Sequence, residues 1–371
     1  MKLHLFPLIL AQSVFSKTYN ILIENDVVND IIMSNYTKSF HFESFSVGTF
    51  DSETYPFHLY NTNSNVIIEE DYIINVSDFI SNSGVSDFIS NSGESSEEQV
   101  NPVWGLDRID QQILPLNNVY RYSYTGKNVN VFVIDTGIDV FHPEFEGRAV
   151  WGANFADSEQ RDGAKHGTHC AGIIGSKTYG VAKNANLIAV KVLDSKGSGS
   201  YSGVIAGMNW VAQQNHTNKI VSMSLGGPKS DIINKVVTEL IRKGIYVIVA
   251  AGNEAQDACN TSPASNLEAI TVGASSIDDS FAYFSNKGKC VNIVAPGVEI
   301  LSTVPGNKTA VFSGTSMAAP NVAGIIALKI EEFGEKKLTP KEMKNYLVDN
   351  CSKGILSGVP RNTPNCLSYS L

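Results

Sequence analysis

Residues 129–134 read Val-Asn-Val-Phe-Val-Ile, and Asp135-Thr136-Gly137 follows them directly. The run is apolar and rich in β-branched residues, which predicts a strand buried on both faces. Similar apolar runs recur downstream, at 187–193, 220–225, 245–251 and 270–272. Amphipathic stretches separate or follow them, at 203–214, 231–243, 317–332 and 340–347. This alternation predicts an α/β fold, a three-layer, doubly wound, mostly parallel sheet.

Three short motifs carry the chemistry of the chain. Asp135 follows a strand, at the end of a parallel sheet where ligands bind. His-Gly-Thr-His-Cys-Ala-Gly at 166–172 and Gly-Thr-Ser-Met-Ala-Ala-Pro at 314–320 each open a helical run. A nucleophilic serine needs a base, and the base needs a carboxylate to fix its tautomer. Ser316 would also have free backbone N–H groups of a helix N-terminus beside it. We therefore predict a triad of Asp135, His166 and Ser316.

Each of these residues also has an ordinary structural explanation. An aspartate after a strand is often a turn or cap residue, Gly-Thr-Ser is common in loops, and His166 could be a hydrogen-bonded core histidine. The combination of three complete motifs favours the catalytic interpretation.

The motifs, in the order Asp, His, Ser, resemble the subtilase family, and most of all its proteinase K and cerevisin-like branch. The resemblance is close over residues 101–335. It implies a serine endopeptidase that works through an acyl-enzyme and needs no cofactor or catalytic metal. It also implies that Asn253, in Ala-Ala-Gly-Asn at 250–253, supplies the oxyanion-hole amide.

The resemblance further implies that substrate binds as an added strand between two edge segments. The matching residues are Gly197, Ser198, Gly199 and Tyr201 in the first segment, and Ser224, Leu225, Gly226 and Gly227 in the second. Ala250, Ala251 and Gly252 would line the first pocket and leave room for an apolar or aromatic side chain. Two alternatives are a non-catalytic subtilase-like binding module and a kexin-like processing protease. The latter would need acidic residues along the cleft, and both segments are uncharged.

The N-terminal part is expected to be a leader and a prodomain. Lys2 precedes an apolar stretch, and Val-Phe-Ser at 14–16 offers a small residue at the likely cut. This order is typical of a secretory signal peptide over 1–16, although a buried first strand is an alternative. Residues 17–75 are expected to form a small α+β prodomain. The run Asn-Val-Ile-Ile-Glu-Glu-Asp at 65–71 resembles the end of the family's inhibitory prodomains.

A tandem repeat follows the prodomain. Val-Ser-Asp-Phe-Ile-Ser-Asn-Ser-Gly at 76–84 recurs unchanged at 85–93. Its Ser, Asn and Gly content predicts a flexible linker over 76–100. We expect autocatalytic processing between about Gly93 and Asn101, and a catalytic domain over 101–371.

Charge and the predicted leader limit the partners and the location. A formal net charge of -9 argues against nucleic acid as a partner. After the leader no apolar stretch is long enough for a membrane anchor. We expect a monomer that is secreted or delivered to a vacuolar or other endomembrane compartment, with protein or peptide substrates and its own prodomain as inhibitor.

Five cysteines leave at least one thiol unpaired within the chain, and no Cys-x-x-Cys spacing suggests zinc. The resemblance implies a disulfide between Cys259 and Cys290. Cys351 with either partner is a rival, Cys351 with Cys366 is a compatible second bridge, and full reduction is the remaining alternative. Cys170 is expected to be a free thiol beneath His166, because it lies four residues later in a helical run.

The sequence departs from the family at two informative positions. Lys165 stands where the family has glycine, and its charge is expected to lower the pKa of His166. Asn292 stands where a calcium-binding aspartate occurs, and an amide is a weaker ligand, so the resemblance allows a structural calcium ion there while this residue disfavours it.

Overall fold

The computed structural model describes residues 17–24, 37–51, 66–76, 80–82 and 98–371. The predicted signal peptide and most of the repeat lie outside these residues. The chain divides into two compact units, 1–71 and 72–371. The boundary between them lies four residues before the predicted end of the prodomain at 75.

The first unit contains a four-stranded antiparallel sheet in the order β2-β3-β1-β4. Its strands are β1 (Thr18–Glu24), β2 (Lys38–His41), β3 (Phe45–Asp51) and β4 (Val66–Glu70). Ile21, Ile23 and Phe50 pack together on one face of this sheet. The predicted run at 20–23 falls in β1, and the described part of the run at 65–68 falls in β4. The β2–β3 hairpin has no clear alternation and was not predicted.

The second unit is built on a nine-stranded sheet in the order β10-β11-β9-β13-β15-β17-β18-β22-β21. The strands are β9 (Asn130–Asp135), β10 (Ala149–Asn154), β11 (Asn186–Lys191), β13 (Lys219–Met223), β15 (Tyr246–Ala250), β17 (Ile270–Ser275), β18 (Ile293–Pro296), β21 (Ser352–Lys353) and β22 (Cys366–Leu367). All pairings are parallel except that of β21 with β22. The five predicted strands are β9, β11, β13, β15 and β17.

Helices cover both faces of this sheet. They are α1 (Trp104–Ile109), α2 (His166–Gly175), α3 (Tyr201–Gln213), α4 (Asp231–Arg242), α5 (Thr315–Phe333) and α6 (Pro340–Asn350). The side chains of β9 show the two helical layers, because successive side chains of a strand point to opposite faces of the sheet. Val131 and Val133 belong to the core that contains α2 and α5, while Phe132 meets Trp210 of α3 with ring centroids 6.1 Å apart. The predicted three-layer α/β architecture is confirmed.

Nine short strands form smaller ladders outside the nine-stranded sheet. Their strands are β5 (Ile73–Asn75), β6 (Ile80–Asn82), β7 (Glu98–Val100), β8 (Val119–Arg121), β12 (Ser198–Ser200), β14 (Gly227–Pro228), β16 (Thr261–Ser262), β19 (Ile300–Val304) and β20 (Lys308–Ser313). They pair as β5 with β12, β7 with β8, β14 with β16, and β19-β20-β6. Within the described ranges, no helix has both the length and the apolarity needed to cross a bilayer.

Candidate active site

Asp135 and His166 form a buried hydrogen-bonded pair. Asp135 is the last residue of β9, and His166 is the first residue of α2. His166 Nδ1 lies 2.8 Å from Oδ1 and 2.9 Å from Oδ2 of Asp135, and both side chains are buried. This contact fixes the proton on Nδ1 and leaves Nε2 as the ring nitrogen that can accept a proton.

The pKa of His166 is set by two opposing effects. Burial lowers it, because the charged imidazolium is poorly solvated, but the negative charge and hydrogen bond of Asp135 outweigh this effect. The pKa of His166 therefore lies well above its usual value of 6.5. The predicted lowering by Lys165 is wrong, because that side chain is exposed to solvent and Asp135 dominates the environment of the ring.

Ser316 lies at the N-terminal end of α5, which packs against α2. Its Oγ lies 3.4 Å from the carbonyl oxygen of Ser224. The Cys170 thiol connects the two helices: Sγ is 3.9 Å from His166 Nδ1 and 3.4 Å from the Ser316 carbonyl oxygen. The fold thus brings the three predicted triad residues to the carboxyl ends of the parallel strands. Cys170 is buried and unpaired with any other cysteine, as predicted.

Asn253 follows β15 and is oriented by the first turn of α5. Its Oδ1 accepts hydrogen bonds from the backbone N–H (2.8 Å) and the hydroxyl (3.0 Å) of Thr315. This arrangement leaves Nδ2 buried with no acceptor in the described part of the chain. A buried donor without a partner is costly unless a ligand completes it. The amide is therefore suited to receive an oxyanion formed beside Ser316.

A second buried carboxylate, which the sequence did not reveal, fixes the start of α2. Asp162 Oδ1 accepts from the Thr136 hydroxyl (2.7 Å) and the Lys165 N–H (2.8 Å), and Oδ2 accepts from the Thr168 N–H (2.8 Å) and hydroxyl (2.6 Å). Burial raises the pKa of Asp162, although these hydrogen bonds oppose the shift. The network ties the strand end that carries Asp135 to the helix that carries His166.

The first predicted edge segment forms β12 and the start of α3. At Gly199, an added Cβ would lie 2.3 Å from the Val192 carbonyl oxygen, so this close approach of two backbones requires glycine. Tyr201 is buried at the start of α3, and its hydroxyl donates to the Pro228 carbonyl oxygen. Tyr201 thereby connects the first segment to the end of the second.

The second predicted segment contacts Ser316. The Ser224 hydroxyl donates to the carbonyl oxygen of Ser316 at 2.8 Å, and Leu225 is buried. From Leu225 onward the segment lines a pocket together with the predicted residues Ala250, Ala251 and Gly252. The pocket lies between this second segment and the chain that follows β15, and no residue of the first segment lines it.

The pocket also contains residues that the sequence analysis did not identify. They are Pro228, Glu254, Gln256, Asn260, Thr261 and Ala264. Glu254 Oε2 accepts a hydrogen bond from Nδ2 of the buried Asn286 at 2.7 Å, so the carboxylate has a fixed position. The prediction of apolar specificity rested on uncharged segments. The pocket nevertheless contains one carboxylate, that of Glu254.

Two disulfides are present. Cys259 is joined to Cys290, and Cys351 is joined to Cys366, each with Cα atoms 5.4 Å apart. The first bridge ties the loop after Asn253 to the segment that enters β18. This is the predicted pairing together with its compatible second bridge, and the rival pairings are excluded.

Two places could be considered for a metal ion. Ligand atoms of Asp135, His166 and Cys170 lie within 4.8 Å of one another, but burial raises the pKa of the Cys170 thiol and so disfavours the thiolate that a metal would need. Asn292 Oδ1 already accepts the Thr271 N–H at 2.9 Å, where it helps to join β17 to β18. In the described part of the chain, the cluster of Asp135, His166 and Cys170 thus disfavours a metal ion.

Comparison with known proteins gives one consistent family. The subtilase family model matches residues 126–364. The chain is 46% identical over 301 residues to cerevisin of Saccharomyces cerevisiae, covering 74% of this chain and 47% of that protein. It is 48% identical over 279 residues to the cuticle-degrading protease of Metarhizium anisopliae, covering 74% and 71%. The match thus spans about half the length of cerevisin and more of the second relative.

A solved structure shows the same relationship. The chain is similar to a cold adapted subtilisin-like serine proteinase, with a TM-score of 0.71 and 45% sequence identity. The similarity covers 73% of this chain and 99% of that one.

Proposed function

The chain belongs to the subtilase family of serine endopeptidases, and on this premise we propose that it hydrolyses peptide bonds through an acyl-enzyme formed on Ser316. One observation carries the proposal. The hydrogen-bonded pair of Asp135 and His166 lies near the first turn of α5, which contains Ser316. In the same turn, Thr315 orients Asn253, whose side-chain amide nitrogen has no acceptor in the described residues.

The mechanism uses groups of this chain at each step. His166 Nε2 takes the proton of the Ser316 hydroxyl as Oγ attacks the substrate carbonyl. Asn253 Nδ2 and a backbone N–H at the start of α5 stabilise the oxyanion. The protonated His166 then gives its proton to the leaving amine, and the C–N bond breaks. Water, activated by the same histidine, releases the acyl group.

The cleft supports a preference for apolar or aromatic side chains before the cut bond. Ala250, Ala251 and Ala264 supply small apolar surfaces to the pocket, which leaves space for a large side chain. Extended substrates would pair with β12 on one side and with residues 224–227 on the other. The Glu254 carboxylate in the pocket would also tolerate a basic side chain.

We further propose that the protein is made as a secreted precursor and acts as a monomer. It would become active by cutting off its own prodomain. The four-stranded unit over 1–71 and the leader-like N-terminus support this proposal.

A fluorophosphonate probe tests the activity directly. The mature protein should be labelled at Ser316, and Ser316→Ala should not be labelled. Asn253→Leu should keep the serine but lower kcat by about 10²–10³-fold, because an oxyanion donor is lost. A folded mature protein that neither reacts with the probe nor cleaves a peptide library would support the non-catalytic alternative.

A further inference from the structure

A buried lysine borders the strand end that carries Asp135. Lys191 is the only charged residue in the apolar run 187–193, and it ends β11 opposite Asp135 in the parallel pairing with β9. Its side chain is only 1% exposed. An ammonium ion taken out of water is costly unless it gains strong polar partners. None of the reaction steps uses Lys191, so its partners indicate what it does.

The Lys191 ammonium joins two turns of the main chain. Nζ donates to the carbonyl oxygens of Thr136 at 2.9 Å and of Leu193 at 2.7 Å. From the same turn, the N–H groups of Val192 and Leu193 donate to the Asp135 carbonyl oxygen at 2.9 and 3.3 Å. The chain that follows β11 therefore holds the main-chain oxygens of both residue 135 and residue 136.

Every polar atom of Thr136 has a partner. Its N–H donates to Asp135 Oδ1 at 2.7 Å, and its hydroxyl donates to Asp162 Oδ1 at 2.7 Å and accepts the Gly167 N–H at 2.9 Å. Lys191 completes the set by binding the carbonyl oxygen. Because Gly167 lies in the first turn of α2, Thr136 contacts both the catalytic carboxylate and the helix that carries the base. A shift of Thr136 would therefore misalign the two.

We infer that Lys191 is a positioning residue for the proposed peptidase reaction. By binding the Thr136 carbonyl oxygen, it fixes the peptide plane that follows Asp135, and so keeps the carboxylate aligned with Nδ1 of His166. Asp157 Oδ2, 3.3 Å from Nζ on a side chain that is 28% exposed, supplies the counter-charge. The inference rests on the proposed function, but its main test needs no turnover.

Three roles for Lys191 give different expectations for the pKa of His166. A positive charge acting only through space would lower that pKa, so its removal would raise it. A lysine that only stabilises the core would leave it unchanged. If Lys191 positions Asp135, its removal weakens the hydrogen bond to His166, and burial then lowers the pKa.

The other titratable groups around the ring do not obscure this difference. Asp135 and Cys170 raise the pKa of His166, and neither is changed by a substitution at Lys191. His169 stays neutral, because burial lowers its own pKa to about 3. The direction of the shift in a Lys191 variant therefore separates the three roles.

The experiment measures the pKa of His166 by NMR of histidine-labelled protein in a Ser316→Ala background, which prevents autolysis. Lys191→Met keeps a long side chain and removes the charge. The pKa of His166 should be lower in Lys191→Met than in its parent, and the Nδ1–H signal should exchange faster with water. In the enzyme that retains Ser316, Lys191→Met should lower kcat by about 10–100-fold, the usual effect of a misplaced catalytic group, with little change in KM.

Lys329→Met is the matched control. Lys329 is also a buried lysine, 4% exposed, but it is paired with Glu332 at 2.7 Å in the last turns of α5. Its replacement should change neither the pKa of His166 nor kcat. Asp157→Asn removes the counter-charge and leaves both carbonyl oxygens in place, so the pKa of His166 should also stay unchanged.

An unchanged or raised pKa of His166 in folded Lys191→Met would overturn the inference. If that variant gives no folded protein, Lys191→Arg replaces it under the same criterion, because a planar guanidinium cannot reproduce the contacts of a compact ammonium. An equal loss of kcat in Lys329→Met would also overturn the inference. So would an equal pKa shift in Asp157→Asn, because the ion pair and not the carbonyl contacts would then be responsible.

Fluorophosphonate labelling of the wild-type enzyme keeps this inference separate from the proposed function. A folded mature wild type that is not labelled refutes the peptidase function. A labelled wild type, together with a His166 pKa that Lys191→Met does not lower, refutes only the role of Lys191.

Discussion

Burial and the Asp135 carboxylate act in opposite directions on His166, and the carboxylate prevails, so that the pKa of the imidazole is raised above 6.5. Activity needs the neutral imidazole, so kcat/KM should fall as pH falls through a pKa above 6.5. The stability contributed by the charged pair has the opposite dependence. It is fully present below 6.5 and is lost as pH rises through the raised pKa.

Asp135→Asn tests this assignment. Without the carboxylate charge, burial dominates, and the acid limb of the kcat/KM profile should move to lower pH. The rate itself should fall by about 10⁴-fold, as it does when the carboxylate that orients such a histidine is replaced. An acid limb that stays at the wild-type pH in Asp135→Asn would show that another group titrates.

Lys165 affects the backbone more than the histidine. It precedes α2 with φ of 71°, in the left-handed region that favours glycine. Lys165→Gly should therefore raise the free energy of unfolding by about 0.5–1 kcal/mol, since relief of the strain exceeds the added entropy of the unfolded chain. Lys165→Ala removes the same charge and keeps the strained conformation, so it should not be stabilised. Chemical unfolding of the inhibited mature enzyme compares the two variants, and equal midpoints would contradict this account.

Glu254 is expected to tune the choice of side chain before the cut bond. The carboxylate lies in the pocket but is partly solvated, and exposed ion pairs are worth about 0.2–1 kcal/mol. Glu254→Gln should therefore lower kcat/KM for a lysine substrate by no more than about fivefold, with little change for the matching phenylalanine substrate. The exposed residue Glu335, which does not line the pocket, provides the control Glu335→Gln. A loss that is equal for both substrates would point to a structural effect.

Short continuous motifs contain the candidate site residues Asp135, His166, Ser316 and Asn253, and this is why these residues could be predicted from the sequence. The roles of Asp162 and Glu254 could not, since they depend on loops that fold back onto the site. Asp162 contacts Thr136, which is 26 residues away. Nothing in the local sequence around Asp162 indicates that contact.

At the level of elements, the two disulfides should have different consequences. Loops of 31 and 15 residues give about 3–4 and about 3 kcal/mol of stability from chain entropy. Replacing both cysteines of either pair by serine should lower the midpoint of unfolding to a similar degree. Cys259→Ser with Cys290→Ser should also lower kcat, because that bridge restrains the loop after Asn253. Cys351→Ser with Cys366→Ser is the matched control and should keep kcat, and equal losses of kcat in the two would contradict this distinction.

Strands buried on both faces were the most predictable elements. β9, β11, β13, β15 and β17 read as apolar runs because helices cover both sides of them. β10 was missed, because this edge strand reads Ala-Val-Trp-Gly-Ala-Asn and is only half buried. β5 and β12 were not predicted as strands either, since the pairing that creates them joins distant parts of the chain.

At the level of the whole molecule, the class of the sheet could be predicted from the sequence but the position of the C-terminal segment could not. The sheet class follows from alternating strands and helices, but the place of the C-terminal segment does not. Residues after 350 match none of the family's motifs and show little periodicity of apolar residues. In the structure β22 extends the sheet by pairing with β18, with Leu367 opposite Val294, and Ser370 donates its N–H to the Ile109 carbonyl oxygen. The end of the chain thus closes the sheet and reaches α1.

This closure predicts that the C-terminal segment is needed for stability and not for chemistry. Leu367 is fully buried and packs with Val294 and Leu356 in a cluster that contains none of the site residues. Leu367→Ala should lower the free energy of unfolding by about 2–5 kcal/mol, the usual cost of a large cavity, and leave kcat/KM unchanged. Leu371→Ala is the matched control: its side chain is 43% exposed, and its effect should stay within about 0.5 kcal/mol. Chemical unfolding of the inhibited enzymes together with peptide kinetics decides the matter. Equal stabilities would show that β22 adds nothing to the core, and a loss of kcat/KM in folded Leu367→Ala would show that the closure extends to the active site.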